Sequence, residues 1–576
     1  MMLELLSVPA VILILGAFIL PLIPERARNT AFLIFPLMAL ALIWTMPEGN
    51  LLQASFASYN LELLAVDGLS RIFGIIFALI TLIGGIYAFH IKDLGQQSSA
   101  LAYAGGALGV TFAGDFFTLF IFWEIMAAAS SYLIWARKTK ESDKAGMRYL
   151  LVHIFGGGLL FTGILLHLAN GGALTISSIA PAYTAANIFM LLGVALNTAV
   201  PPLHAWLADA YPKATITGAI FMCALTTKSA VYVMIRLFPG WEILIWVGVI
   251  MAIYGTIYAL LANDIREILA YSIISQIGYM VTAIGIGSEL ALNGATAHAF
   301  NHIVYKSLLF MAAGAVIYST GTSKLSELGG FAKKMPLIVG LYLVGALSIS
   351  GAPFLNGFVS KTMISSALGD AHLEWPILLL LIATIGTFIH TGLKLPYFTW
   401  FSEKKTDFKV SGIPVNMKVA MGLGAFFCIL FGLAPNLLYE QLPYPTDFQP
   451  FSVYNFVEMT QILVLAFVAF WFLKNHLNVS STISLDTDWF YRRPAALVRK
   501  VFVTFPNAAF GLAETGALSL ADKLSELSNN PIGRILPSSE AEGREVKSDG
   551  FTASMGAALA FILFSFLVAS LYVLLP

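Results

Sequence analysis

The sequence predicts an all-α polytopic membrane protein: about 16 transmembrane helices, two inverted five-helix repeats containing broken helices, and a C-terminal lateral amphipathic helix. Three observations lead there. Of 576 residues, 58% are hydrophobic and only 11% charged, against about 25% charged in a soluble domain. The mean hydropathy of +0.82 is spread along the whole chain. Apolar stretches near the ~20 residues needed to cross a bilayer recur at 3–23, 30–46, 69–90, 99–113, 115–135, 146–169, 186–200, 216–237, 241–262, 267–287, 291–317, 336–366, 375–400, 416–438, 454–473 and 551–575. None alternates as barrel strands would.

The first stretch is longer than a signal-peptide core and lacks a small-residue cleavage site before Pro24, so it reads as an uncleaved span. Lysine and arginine placement tests the rest, because it uses information that hydropathy does not. Loops after spans 1, 3, 5, 7, 9, 11, 13 and 15 carry Arg26 and Arg28; Lys92; Arg137, Lys138, Lys140 and Lys144; Lys213; Arg266; Lys324, Lys333 and Lys334; Lys404, Lys405 and Lys409; and Lys474. Loops 47–68, 170–185, 288–290, 369–374 and 439–453 have neither residue. The reading is a cell (inner) membrane protein, multi-pass, with basic loops cytoplasmic and both termini on the outer side. Between spans 15 and 16, Phe490 to Leu527 alternates apolar residues with Arg492, Arg493, Arg499, Lys500, Asp522, Lys523 and Glu526 at roughly helical spacing, as in a helix lying along a membrane or partner surface. Ser538 to Gly550 reads as a linker.

The 32 Lys+Arg balance the 32 Asp+Glu, so no charge excess draws nucleic acid. Cys223 and Cys428 sit in apolar runs, which excludes a disulfide framework, a zinc finger and a Cys-ligated iron–sulfur cluster. No nucleotide-binding loop or cofactor motif is present, so no cofactor, metal or enzymatic chemistry is assigned to the chain itself.

Function in such a chain is sought in ionisable residues within spans, each costly unless it lines water or finds a partner. Glu124 lies mid-span in FFTLFIFWEIM with no basic residue within one helical turn. Its protonation is set by whatever another helix presents to it, which suits a relay. Lys228 is halfway along span 8, more than two turns from either end and too far to snorkel. In TAHAFNHIVYKSLLF, His298, His302 and Lys306 stand at i, i+4 and i+8 and share one helical face. Three titratable groups in one stripe suit a proton wire. A histidine pair could also ligate metal, but no carboxylate or cysteine stands near it in sequence, and haem needs a further histidine on another helix, for which His153 and His167 of span 6 are a weak signal.

Two spans are interrupted, at AVPPLHAWLADAYPKA by Pro201 and Pro202 and at SGAPFLNGFVSK by Gly351, Pro353 and Gly357. Broken helices free backbone groups that need a watery cavity or a neighbour, and in transporters they occupy corresponding positions of inverted repeats. Spans 4–8 and 9–13, taken as two five-helix units, place each break in the fourth helix; five is odd, so the second unit is inverted. Lys361 falls beside the second break.

AGDFFTLFIFWEIM, PPLHAWLADAYPKATITGAI, TTKSAVYVMIR, NDIREILAYSIISQIGYM, HAFNHIVYKSLLF and PFLNGFVSK resemble the proton-conducting antiporter family, shared by Mrp-type cation/proton antiporters and the antiporter-like subunits of respiratory complex I. The resemblance covers roughly residues 60–400. It implies a 14-helix core with inverted repeats around a water-filled polar axis at mid-depth, in which Glu124 matches the essential span-5 glutamate, Lys228 the central lysine, Lys306 with His302 the span-11 relay, and Lys361 the terminal lysine. One position departs: the lysine that the family usually places five residues before the proline of the PLHxW string is Asn197, which cannot carry a proton, so either Glu124 stays protonated more of the time or another cation such as Lys228 takes over the pairing. Asn197, His204, Asp115 and Lys394 are secondary pathway candidates, the last two equally readable as helix-end charges. The extension at 475–575 is similar to the strap of the largest complex I antiporter subunit, whereas LDTDWFYRRPA and GLKLPYFTWF resemble D-type Mrp subunits.

The implied organisation is 1–98 N-terminal transmembrane helices, 99–238 first antiporter repeat, 239–400 second antiporter repeat, 401–474 C-terminal core helices, 475–550 lateral amphipathic helix and linker, and 551–576 terminal anchoring helix. The implied function is a proton-translocating subunit of a multisubunit Mrp-type Na+/proton antiporter. Its partners would be other membrane subunits, the lipid bilayer, protons and Na+. The alternatives are a proton-pumping subunit of a complex I-like or other energy-converting complex and a scaffolding subunit; no span gathers the aromatic and polar residues of a solute pocket.

Overall fold

The computed structural model describes residues 4–56, 59–403, 411–474, 486, 487, 489, 494, 497 and 499–529. Lipid offers the backbone no hydrogen-bond partners, so apolar segments close their own bonds as helices. Successive helices are α1 (Pro9–Ile19), α2 (Glu25–Thr45), α3 (Gly68–Tyr87), α4 (Leu94–Phe112), α5 (Phe116–Trp135) and α6 (Lys140–Ala169). The broken segments α7 (Ala185–Asn197) and α8 (Ala205–Ala210), then α9 (Gly218–Ala224) and α10 (Thr226–Leu237), follow. Next come α11 (Ile243–Leu261), α12 (Ile265–Ile286), α13 (Glu289–Thr320), α14 (Pro336–Ser350), α15 (Asn356–Asp370) and α16 (Glu374–Thr387), which runs on into π-helical turns at Phe388–Lys394 and Tyr397–Phe401. The helical core continues with α17 (Val415–Leu433), α18 (Asn436–Tyr439) and α19 (Val453–Leu473). Among the described residues, 11 helices are long and apolar enough to cross a membrane, with shorter apolar helices at Pro9–Leu22, Ala185–Asn197 and Pro336–Ser350.

Side-chain caps set where the helices start. Asp67 with Ser70 and Thr139 with Ser142 form reciprocal capping boxes on α3 and α6, and Asp264 caps α12. Gly287, Gly321 and Gly351, in the left-handed conformation, end α12, α13 and α14. Both interruptions fall where the prolines and glycines stand. The 336–366 span is two helices of 15 residues each, the second running on to Asp370.

The connection at 47–68 holds an element the sequence reading lacked. Strands β1 (Gly49–Phe56) and β2 (Tyr59–Val66) pair antiparallel from Gly49↔Val66 to Phe56↔Tyr59. Only the inner end of β2 is buried, at Leu64 and Val66.

Helices α12 and α13 form the centre. Every described side chain of α12 from Ile268 to Gly285 is buried, and α13, 32 residues and about 48 Å long, is buried over most of its length. By contrast α2 and α19 turn large apolar side chains outward, as lipid-facing helices do. Three of the basic loops meet: Arg137 donates to Pro212 O at 2.7 Å and Arg266 to Ala214 O at 2.9 Å. Arg236, ending α10, makes a bidentate pair with Asp67.

Beyond residue 488 the chain forms a second compact unit. Its described part is a π-helical turn at Lys500–Thr504 and helix α20 (Phe505–Asn529), which covers the C-terminal two-thirds of the expected lateral helix. The expected linker at 538–550 and terminal helix at 551–576 lie outside the described residues.

Candidate functional site

The polar interior begins at α5. Asp115 is buried and accepts from Glu62 N, Phe117 N and Thr118 N at 2.8 Å and Thr118 Oγ1 at 2.6 Å, so it is a saturated helix cap. Glu124 has no such support. Its buried Oε1 has no hydrogen-bond partner, and no ion pair reaches it among the described residues. Helix α6 touches the carboxylate through Gly157, where an added β-carbon would stand 1.8 Å from Oε1. One turn earlier His153 is buried, bonded through Nδ1 to Tyr149 O at 2.8 Å and stacked on the Tyr149 ring. His167, the other histidine of the haem reading, meets the edge of Phe116.

Helix α7 stops at Asn197, which is fully buried with both amide atoms unpartnered among the described residues. The following residues through Pro201 and Pro202 cannot continue the hydrogen-bond ladder. Trp206 Nε1 donates to the carbonyl of Leu196 at 2.9 Å, which also accepts from Ala199 N at 3.0 Å. His204, fully buried, stands at the head of α8.

A third interruption, at Leu225 between α9 and α10, positions Lys228. Its ammonium is fully buried and donates to Cys223 O at 2.6 Å and Thr227 Oγ1 at 3.1 Å. The released carbonyl is thus the lysine's partner, and Lys228 does not take up Glu124. On α13, His298, His302 and Lys306 are all fully buried. Lys306 donates to Ser272 Oγ on α12, and His298 Nδ1 meets Ser360 Oγ on α15 at 2.9 Å. Neither ring nitrogen of His302 has a partner among the described residues.

Next to Ser360, Lys361 places its ammonium 4.9 Å from the centre of the Tyr279 ring, a cation–π contact. Electrostatic interactions couple Lys228 to Lys306 and His302, and Lys361 to His298 and His302. Lys394 resembles Asp115: it donates to Leu260 O and to Ala262 O, the latter at 3.0 Å, closing the end of α11. The interior therefore brings Lys228, His298, His302, Lys306 and Lys361 into one seam lined by α12, α13 and α15. It turns Asp115 and Lys394 to helix ends. Among the described residues no three His, Cys, Asp or Glu side chains converge as metal ligands.

The seam lies within a stretch that other proteins share. The family pattern described as "NADH:quinone oxidoreductase/Mrp antiporter, TM" matches residues 113–389, which contain Glu124, both proline breaks and the whole seam. An uncharacterized protein of Methanocaldococcus jannaschii is 30% identical over 356 residues, 58% of this chain and 73% of that protein. The chain belongs to the NADH:quinone oxidoreductase/Mrp antiporter membrane family. A second family relative, the A-type component of the Na(+)/H(+) antiporter of Alkalihalophilus pseudofirmus, is 30% identical over 428 residues, covering 65% of this chain but only 52% of the relative. In the solved Mrp complex from Dietzia sp., one chain superposes with a TM-score of 0.68 at 21% identity, over 81% of this chain and 99% of that one. A chain of the membrane-bound sulfane sulfur reductase, an archaeal respiratory membrane complex, gives 0.68 and 21% over 80% and 99%. These two likenesses establish the fold. The Mrp-type relative here is A-type, so the matches do not carry the D-type resemblance.

Two groups of site residues of this family member escaped the sequence reading. Tyr271, Ser272, Ser275, Gln276 and Tyr279 make a polar stripe on α12, and their spacing of one, four, five and eight residues is a helical signal readable from the sequence. The other is Asp486, in LDTDW after the last core helix. It bonds His204 across 282 residues of sequence, a separation that no local pattern encodes.

Proposed function

We propose that this chain is the proton-translocating antiporter subunit of a multisubunit Mrp-type cation (Na+)/proton antiporter complex. Protons move along Glu124, Lys228, the His298/His302/Lys306 stripe and Lys361, with the basic loops cytoplasmic and both termini on the outer side. The observation that carries the reading is the seam itself: three lysines and two histidines at 0–2% exposure, with no carboxylate partner among the described residues. Buried cations held together in this way cannot all be charged at once, so gain of a proton at one favours its loss from the next. Unpartnered atoms on Glu124, Asn197, His302 and Lys361 are the groups that water in such a path would serve. D-type identity within the complex rests on the LDTDWFYRRPA and GLKLPYFTWF strings alone.

The test is proton flux in vesicles containing the intact complex. Glu124→Gln and Lys228→Ala are expected to lower flux by about 100-fold, the scale of a lost proton-transfer group, with subunit composition unchanged. Retained flux, or loss of assembly, would favour a scaffolding role. The equal structural likeness to a chain of an archaeal respiratory complex favours a second reading, an antiporter-like subunit of an energy-converting complex. Mass spectrometry of the natively purified complex separates the two: soluble redox subunits support the second reading, small hydrophobic subunits alone the first.

A further inference from the structure

The break between α7 and α8 receives a group from outside the helical core. Asp486 lies beyond α19, yet its side chain is 7% exposed against a fully buried His204. Nε2 of His204 is 3.1 Å from Oδ1 and 3.2 Å from Oδ2. The hydroxyl of Tyr254 donates to Oδ1 at 2.5 Å, that of Tyr271 donates to Oδ2, and Thr487 N donates to Oδ1. Thr487 Oγ1 donates to Pro202 O at 3.2 Å and fixes the segment on the break itself. Tyr258 stacks on both Tyr254 and Tyr271, closing the pocket with rings. The titratable groups around the pair are Tyr254 and Tyr258 on α11 and Tyr271 and Glu267 on α12.

Burial opposes ionisation of Asp486, but the hydrogen bond from His204, its charge whenever the ring is protonated, and the hydroxyls of Tyr254 and Tyr271 outweigh it and hold the carboxyl below the usual carboxylate range; with a neutral ring the donors from Tyr254, Tyr271 and Thr487 N remain. An ionised carboxylate only accepts, so Nε2 of His204 must carry a hydrogen. In the neutral imidazole that leaves Nδ1 as the acceptor. Nδ1 is buried and has no partner among the described residues. A carboxylate on one imidazole nitrogen thus fixes the tautomer and prepares the other nitrogen to take a proton.

We propose that Asp486, supplied by the C-terminal segment, is a positioning residue that locks His204 in the Nε2–H tautomer, making His204 Nδ1 a proton-binding atom of the transport path at the α7–α8 break. The inference rests on the proton-conducting reading above. A proton arriving at Nδ1 gives an imidazolium paired with the Asp486 carboxylate, and its departure restores the same neutral tautomer. Tyr254, Tyr271 and Thr487 keep the carboxylate satisfied in both states, so the cycle needs no backbone movement.

The experiment uses the full chain in its complex, labelled with 15N-histidine, with His204→Gln identifying the His204 signals. In alkaline buffer the wild type is expected to show Nε2–H for His204, whereas Asp486→Asn mixes the tautomers and Asp486→Glu restores the original one. In vesicles, His204→Gln and Asp486→Asn should each lower proton flux at least tenfold, the double variant should fall no further than His204→Gln alone, and Asp486→Glu should recover part of it. An unchanged His204 tautomer in Asp486→Asn overturns the proposal. So does wild-type flux in His204→Gln when Lys228→Ala abolishes it, a result that leaves the proposed function standing. Vesicles with no proton flux in the wild type overturn both.

Discussion

Glu124 owes its place to the absence of a side chain at Gly157. A methyl at 157 would overlap the carboxylate oxygen at 1.8 Å, whereas Gly158 next to it faces open space. Gly157→Ala must therefore displace the carboxylate by more than an ångström, and misplacement on that scale costs about 100-fold where alignment matters. Proton flux should fall accordingly in Gly157→Ala and stay near wild type in Gly158→Ala; equal effects would show that Glu124 is not aligned by α6. Asn197 offers a complementary change. A lysine there supplies the cation that Lys228, bonded to Cys223 and Thr227, does not. A pH titration followed by infrared spectroscopy should show the Glu124 carboxyl band lost at lower pH in Asn197→Lys than in the wild type, and an unaltered titration would sink the pairing. At this scale the sequence was informative where charge stands among apolar neighbours, as at Glu124, Lys228 and Lys306. It was uninformative where the partner is a hydroxyl or a backbone carbonyl, as for Ser272 and Cys223, because such groups are everywhere in the chain. Asp115 and Lys394 were readable equally as pathway charges and as helix-end charges for the same reason: an acid at a helix start and a base near a helix end read alike until their acceptors and donors are placed.

Helices were legible through periodicity and length, and breaks through proline and glycine chemistry. The hairpin at Gly49–Val66 was not, since most of its side chains are exposed or half-exposed and only Leu64 and Val66 mark an inner face. The interruption at Leu225 carries no proline, so no residue type marks it in advance. The junction of α3 and α10 carries its own expected outcome. Burial pushes the Asp67 carboxyl up, but hydrogen bonds and charge from Arg236, with the Ser70 bonds, outweigh it and hold it below the ordinary range. A carboxyl depressed on folding contributes stability that is full above its unfolded value, near 3.9, and is lost as pH falls through its lower folded value. Asp67→Asn keeps a good N-cap and removes the charge. Thermal unfolding in detergent should show the wild type more stable than Asp67→Asn at pH 7, with the difference closing as the buffer is taken below pH 4. Asp67→Ala, which also loses the cap, should cost about 1 kcal/mol more at every pH. A wild-type advantage that persists unchanged into acid would remove the ion pair as its source.

At the scale of the whole molecule, the helical core buries its charges and leaves apolar surface for lipid, while α20 stands apart from that logic. Phe505, Phe510, Leu512, Leu520 and Leu524 are 56–75% exposed and, at 100° per residue, fall on one side of α20, with Glu514 and Asp522 on the other. A face of that kind in contact with water is unfavourable by roughly 25 cal/mol for each Å², so a membrane interface or a neighbouring protein must cover it. Under the multisubunit assembly proposed above, a neighbouring subunit is the occupant expected here. Ending the chain after Asp488 removes α20 and keeps both the core and Asp486, because the core through Asp488 is a compact unit in its own right. Such a chain should retain the thermal stability of its core and the tautomer of His204 but lose co-purifying membrane subunits, read by mass spectrometry of the complex in mild detergent. Full retention of those subunits would place the assembly surface on the core helices instead, with α20 lying on lipid.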